Sequence, residues 1–208
     1  MKVTALKVQA RSAARVNVYL DGRFAFGLAK IEAARLRLGQ ELDEAAVARL
    51  QQADEAEAVY ERALRFLAVR PRSESEVRQR LRKQGAADGQ VEAALERLRR
   101  AGLVDDQAFA AYWVENRTAF RPKSRRVLEG ELRRKGVGRE EAAQAAAGTN
   151  DAALAYAVAA KRAPRLAALP AVDFRRKLTE FLMRRGFDYE TAAEAVSRVT
   201  REQRAAED

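Results

Sequence analysis

The sequence predicts a mainly α-helical protein: tandem three-helix repeats forming an elongated, curved array, preceded by a small N-terminal antiparallel β-meander. Three observations predict it. The stretch LRKQG at 81–85 returns as LRRKG at 132–136 and as LMRRG at 182–186. Around each copy, apolar residues recur at i, i+3 and i+4, the spacing of one face of a helix. Ahead of the first copy the period shortens to two, over residues 3–9, 15–20 and 23–28, as strands require.

Taken in order, the chain opens with a meander over 1–29. Asp21-Gly22 between the second and third strands is a type I′ hairpin signal, because both central residues of that turn need positive φ. Val16, Val18 and Leu20 on one strand and Phe24, Phe26 and Leu28 on the next are expected to form one buried face. Residues 30–54 read as a helical linker broken at Gly39. Three repeats follow, over 55–104, 105–150 and 151–208, with helices expected at 55–70, 74–84 and 88–101, then 106–120, 124–135 and 139–147, then 151–163, 171–185 and 189–203.

Counting back from Gly85, Gly136 and Gly186 locates the second helix of each repeat. Val77, Leu128 and Leu178 stand eight residues before the glycine, and Leu81, Leu132 and Leu182 stand four before it, so each helix carries one apolar stripe. The glycine follows the stripe, where helices commonly end in the left-handed region. Pro71 and Pro122 end the helix ahead of each of the first two copies; Pro170 stands in a looser position in the third. Ser73 and Glu76 form a capping box; Ser124 is a cap whose returning carboxylate is replaced by Val127. Asp105, Asp106 and Asp151 fall where a repeat opens, as expected of acids at helix N-termini. A three-helix unit of this size buries a modest core, so stacking on its neighbours stabilises it.

Composition narrows the function. The 208 residues are 48% hydrophobic, with no cysteine and no histidine, which removes disulfides, thiolate nucleophiles, Cys/His zinc sites and the usual general base. Asp105, Asp106 and Glu115 lack the further oxygen ligands of a magnesium site. Gly136-Val-Gly138 follows a helix, and no Lys-Ser/Thr stands where a phosphate loop needs it. The expectation is a non-enzyme without cofactor or metal. No apolar run approaches a membrane span and no leader precedes the first strand, so a cytoplasmic location is expected.

Net charge is +10, which favours an anionic partner. The charge is concentrated in the second helices. Between Arg117 and Arg139 the basic residues Arg117, Arg121, Lys123, Arg125, Arg126, Arg133, Arg134, Lys135 and Arg139 face only Glu129 and Glu131. Residues 70–83 and 175–185 are similarly biased. Similarly oriented repeats would align these helices as an interrupted basic ridge. Phe109, Tyr112, Trp113, Phe174 and Phe181 sit at core spacing, whereas Phe120, beside Arg121 and Pro122, is expected to be exposed.

RVNVYLDGRFAFGL (15–28), SESEVRQRLRKQG (73–85), AGLVDDQAFAAYWVENR (101–117), RPKSRRVLEGELRRKGV (121–137) and FRRKLTEFLMRRGFDYETAAEAV (174–196) together resemble the RecX regulatory proteins, which restrain the recombinase RecA. The likeness covers nearly the whole chain. It implies three tandem three-helix repeats, and binding along the groove of the RecA filament with inhibition of ATP hydrolysis, strand exchange and co-protease activity. On that reading Arg121, Lys123, Arg125, Arg126, Arg133, Arg134 and Lys135 supply the central contacts, and Arg82, Lys83, Arg184 and Arg185 extend them. The expected partners are the RecA filament and single-stranded DNA, engaged by a protein that is monomeric when free. The alternative is a sequence-independent DNA-binding protein of helix-turn-helix-like units, with residues 89–101 or 139–147 as the second helix of the motif. Ala86-Ala87 after Gly85, and Gly138 with the short alanine-rich helix after it, depart from the family pattern and imply looser local packing.

Overall fold

The structure, a computed structural model, describes residues 1–10 and 12–205. It divides into two compact units, residues 1–71 with 77–103 and residues 72–76 with 104–208.

In the first unit, β1 (Val3–Gln9), β2 (Ser12–Leu20) and β3 (Arg23–Ala29) form an antiparallel sheet in that order. The hairpin turn has φ of 48° at Asp21 and 83° at Gly22, both in the left-handed region, as the Asp-Gly pair predicts. Val16, Val18, Leu20 and Leu28 are buried together with Val3 and Leu42, and Phe26 packs against them. Phe24 departs from the expected face: it is 58% exposed. The ladder slips between Val18 and Tyr19, so Val18 pairs with Phe26 while Tyr19 pairs with Phe24. A slip of one residue turns a side chain to the other face, and Phe24 there meets Tyr19 edge-on at 6.0 Å.

The segment after the sheet differs from a separate helical linker. A short α1 (Lys30–Ala33) and a turn at Gly39 (φ 83°) lead into α2 (Glu44–Leu67), one continuous helix that begins well before residue 55. Asp43 starts it, accepting the Ala46 N–H at 2.6 Å, as an N-cap aspartate does. The early part of α2 lays Ala46, Val47 and Leu50 on the sheet core, and Asp54 accepts both the Ala29 N–H (2.6 Å) and Arg15 (2.8 Å). Farther along, Val59, Tyr60 and Ala63 are buried. One helix thus serves two apolar surfaces in succession, and for that reason the helix expected from residue 55 begins at Glu44. α3 (Glu74–Lys83) buries Val77 and Leu81, and α4 (Asp88–Arg100) buries Val91, Ala94, Leu95 and Leu98.

The second unit holds α5 (Asp106–Phe120), α6 (Arg125–Arg134), α7 (Arg139–Ala146), α8 (Asp151–Arg162), a 3-10 turn (Ala163–Leu166), α9 (Ala171–Arg184) and α10 (Tyr189–Ala205). One core gathers Phe109, Ala110, Leu132, Val137 and Ala142, and a second gathers Ala155, Phe174, Leu178, Leu182, Phe187, Ala192 and Val196 among others. Tyr112, expected in the core, is exposed.

Two sets of hydrogen bonds inside this unit join residues 72–76 to the end of α6, and the start of α6 to the end of α9. The Ser73 hydroxyl donates to the Lys135 carbonyl at 2.5 Å, and the Ser124 N–H donates to the Arg185 carbonyl at 3.2 Å. The start of one second helix therefore rests on the end of the next. Asp105 caps its own helix through the Gln107 and Ala108 N–H groups, while Asp106 reaches the Glu74 N–H at 2.8 Å. Asn150 likewise caps its own helix through Ala153, and Asp151 accepts the Arg125 N–H at 2.8 Å. An aspartate at the start of α5 or α8 thus satisfies an orphan donor at the start of α3 or α6. Burial holds the Asp106 carboxyl above the usual carboxylate range even though it accepts the Glu74 N–H.

The repeated glycine has two roles. Gly85, Gly136 and Gly186 have φ of 83°, 85° and 94°. A Cβ at Gly136 would overlap the Ser75 side chain, and one at Gly186 would overlap Val127 and the Ser124 hydroxyl, whereas nothing lies within 4 Å of the same position on Gly85. Val127 therefore takes a packing position against the glycine in place of a capping carboxylate. The Ser73–Glu76 box forms in both directions, at 3.1 and 3.3 Å. We predict that Gly85→Ala costs about 1–2 kcal/mol from its left-handed backbone alone, while Gly136→Ala and Gly186→Ala add roughly 1–3 kcal/mol of overpacking. Urea unfolding of the three variants measures the difference; equal losses would contradict the close-approach role.

Candidate functional site

The apolar stripe of α6 points Leu128 and Leu132 inward, which leaves Arg125, Arg126, Arg133 and Arg134 exposed. Glu131, one residue before Leu132, is carried inward with it and is only 8% exposed. A buried carboxylate requires partners, and this one has three: Trp113 Nε1 at 3.0 Å, Arg117 Nε at 2.9 Å and Lys123 Nζ at 2.5 Å. Lys135 lies over the Trp113 ring at 4.3 Å and bonds Glu76 at 2.9 Å. Burial pushes the Glu131 carboxyl up, but the hydrogen bonds from Lys123 and Trp113 and the charge of Arg117 outweigh it and hold the group below the ordinary glutamate range.

This network sorts the expected ridge residues. Lys123 and Lys135 are committed to internal carboxylates. Arg125 pairs with Glu129 at 3.0 Å and stays exposed. Arg121, Arg126, Arg133 and Arg134 are exposed, and among the described residues no carboxylate pairs with them. Arg184 is exposed and only 4.0 Å from Glu180. Arg185 is half-buried: it stacks over Phe181 at 4.8 Å and donates to the Pro122 carbonyl at 3.0 Å. The Ser124–Arg185 backbone bond brings Arg184 and Arg185 beside Arg125 and Arg126. Arg82 and Lys83 are exposed at the end of α3, Arg82 paired with Asp88 at 2.8 Å.

Sequence reasoning passed over Lys161, Arg162 and Arg165, which line one cavity with Arg185. The available signal was the absence of acid between Asp151 and Asp173. Phe120 is 77% exposed, as its neighbours suggested. Among the described residues no group of three or more acidic side chains could hold a metal ion, and no helix is long and apolar enough to cross a membrane.

Residues 1–43 match the family described as "Regulatory protein RecX N-terminal domain", and residues 60–98, 105–145 and 150–196 match the first, second and third three-helix domains of RecX. A protein called regulatory protein RecX from Levilactobacillus brevis is 36% identical over 200 residues, covering 94% of this chain and 75% of that protein. Its counterpart from Bacillus licheniformis is 30% identical over 202 residues, covering 93% and 76%. A crystal structure of regulatory protein RecX superposes with a TM-score of 0.75 at 30% identity, covering 91% of this chain and 96% of the other. A second, of RecX from Lactobacillus salivarius, gives 0.63 at 22% identity over 71% of this chain and 98% of the other, a likeness of fold.

The Glu131 network predicts a pH dependence. A carboxyl held low in the folded state stabilises the fold fully above the ordinary glutamate range, and that stabilisation is lost as pH falls through the lowered value. Glu131→Ala leaves clustered cations without their counter-charge and is expected to cost about 3 kcal/mol. Thermal melts from neutral pH to pH 3 should show the variant losing less stability on acidification than the unsubstituted chain.

Proposed function

Because the chain belongs to the RecX family of regulatory proteins, we propose that it is a negative regulator of the RecA recombinase. It lies along the groove of the RecA–single-stranded DNA filament in the cytoplasm and lowers ATPase, strand-exchange and co-protease activity by binding. The observation that carries this reading is the set of exposed, unpaired arginines on and beside α6, Arg121, Arg126, Arg133 and Arg134, with Arg184 adjoining them. Cations already paired with carboxylates gain little from a new anion, whereas unpaired ones retain their full attraction. A filament repeats its surface at each subunit, so several modest contacts on a modular protein reinforce one another through effective concentration. On the first unit Lys83 is a further exposed cation, while Arg82 beside it is already paired with Asp88.

Helix-turn-helix base readout is disfavoured by α7. Its first turn exposes Glu140 and Glu141, and alanines follow, where a recognition helix needs donors for base edges.

The test is recombinase ATPase on single-stranded DNA with the protein added below one per recombinase subunit. The unsubstituted chain should inhibit. The quadruple variant Arg121→Glu, Arg126→Glu, Arg133→Glu, Arg134→Glu should melt at a similar temperature yet lose inhibition. A folded quadruple variant that still inhibits would reject this surface. Lys123→Glu should instead lower the melting temperature, since it removes a partner of Glu131.

A further inference from the structure

The second unit contains a cavity of about 420 Å³, within the range of small-ligand sites. It lies between the end of α5 with its Arg121–Pro122 turn, α8 and α9. It is lined by four cations, Lys161, Arg162, Arg165 and Arg185, and among the described residues none of the lining is acidic. Among the described residues no carboxylate pairs with any of the four. Arg162 and Arg185 both stack on Phe181, at 5.2 and 4.8 Å, which brings two like charges onto one ring. The Arg162 Nε is buried without an acceptor among the described residues. Burial, and then the charge of Arg162, holds the Arg185 guanidinium below the ordinary arginine range. Clustered guanidiniums without a counter-charge, one with an orphaned donor, fit a site completed by an anion. At the mouth stands Phe120, 77% exposed, an aromatic ring presented to solvent beside the cationic rim.

A flat apolar group next to an anion is the pattern of a nucleotide: base on the ring, phosphate on the cations. An acidic peptide would use the cations and leave Phe120 without a role. Apart from Thr118, the lining offers, among the described residues, no neutral polar side chain to read a base edge, so recognition would be indifferent to the base. Arg162 and Arg185 are held on Phe181 while Lys161 and Arg165 are exposed at the rim, which suits a passing backbone better than an enclosed free nucleotide. We propose that this cavity binds one nucleotide unit of a single-stranded nucleic acid, stacking the base on Phe120 and receiving the phosphate at Lys161, Arg162, Arg165 and Arg185. The site is distinct from the outer arginines of α6, and its test needs no recombinase.

Fluorescence anisotropy of the full chain with a labelled oligothymidylate of roughly 15 nucleotides, near the upper site size of a single-strand binding fold, reads the interaction. Phe120→Ala should weaken binding about tenfold, as loss of one stacked base does, and leave an abasic oligonucleotide of equal length unaffected. Phe120→Trp should restore thymidylate binding. The double variant Lys161→Glu, Arg165→Glu, both exposed residues, should weaken both ligands and lower the log–log salt slope by about 0.7 for each phosphate that is no longer neutralised. An equal effect of Phe120→Ala on both oligonucleotides, or none on either, overturns the stacking site. Displacement of the strand by thymidine monophosphate at equal nucleotide concentration would assign the cavity to a free nucleotide. Displacement by a glutamate-rich peptide would assign it to an acidic protein. Either result overturns the proposal.

Discussion

The reversal after each second helix is made by a residue in the left-handed region, and at Gly136 and Gly186 that residue also has to vacate the space a Cβ would fill. Into that space come Ser75 in one case and Val127 with Ser124 in the other, so the beginning of one module's second helix sits within hydrogen-bonding distance of the end of the next. Asp106 and Asp151 secure the same junction from the side, each accepting a backbone N–H from the helix that begins there. Inside the second unit the junction is polar and backbone-directed, so it fixes which residues of the adjoining helix ends meet as well as their attraction. A hydrophobic seam alone would tolerate sliding; a carbonyl, a serine and an aspartate at fixed positions do not. Gly85 retains the backbone geometry without the close approach, because no described side chain packs on it.

The junction also decides which cations are available. α6 runs only from Arg125 to Arg134, and its inward face carries Glu131 together with Leu128 and Leu132. Once Glu131 is buried, Trp113, Arg117 and Lys123 must turn inward to satisfy it, and Lys135 is held between Trp113 and Glu76. Three of the nine basic residues between Arg117 and Arg139 thereby become internal structure. What remains outside, besides Arg125 with its Glu129 partner, is a set of arginines (Arg121, Arg126, Arg133 and Arg134) with no counter-charge among the described residues, the form of charge most able to engage an external anion. Stability and recognition draw on neighbouring residues of the same short segment, separated by which side of one helix they occupy.

The cavity lined by Lys161, Arg162, Arg165 and Arg185 follows from the same arrangement. Arg185 is brought there because its carbonyl receives the Ser124 N–H and its guanidinium reaches the Pro122 carbonyl. Phe181 keeps two guanidiniums stacked that would otherwise separate. The second unit thus carries two sets of cations without a counter-charge among the described residues, the outer arginines on and beside α6 and a cationic cleft with an exposed ring.

By itself the sequence determined the features that depend on local geometry. The Asp21-Gly22 hairpin, the capping box of Ser73 and Glu76, the helix-ending glycines and the apolar stripes of Val77 and Leu81, Leu128 and Leu132, Leu178 and Leu182 were all legible, because turn φ values and helical period are properties of a few adjacent residues. The exposure of Phe120 was legible from its neighbours. The tertiary structure decided what depends on residues far apart in the chain. A one-residue slip in the β2–β3 ladder turned Phe24 outward, and the continuity of α2 emerged only where sheet and repeat present apolar surface to one helix in turn. Above all, no local pattern distinguishes Lys123 and Lys135 from Arg126 and Arg133. Charge is written in the sequence, but whether it is neutralised internally depends on which carboxylate folding brings within hydrogen-bond reach.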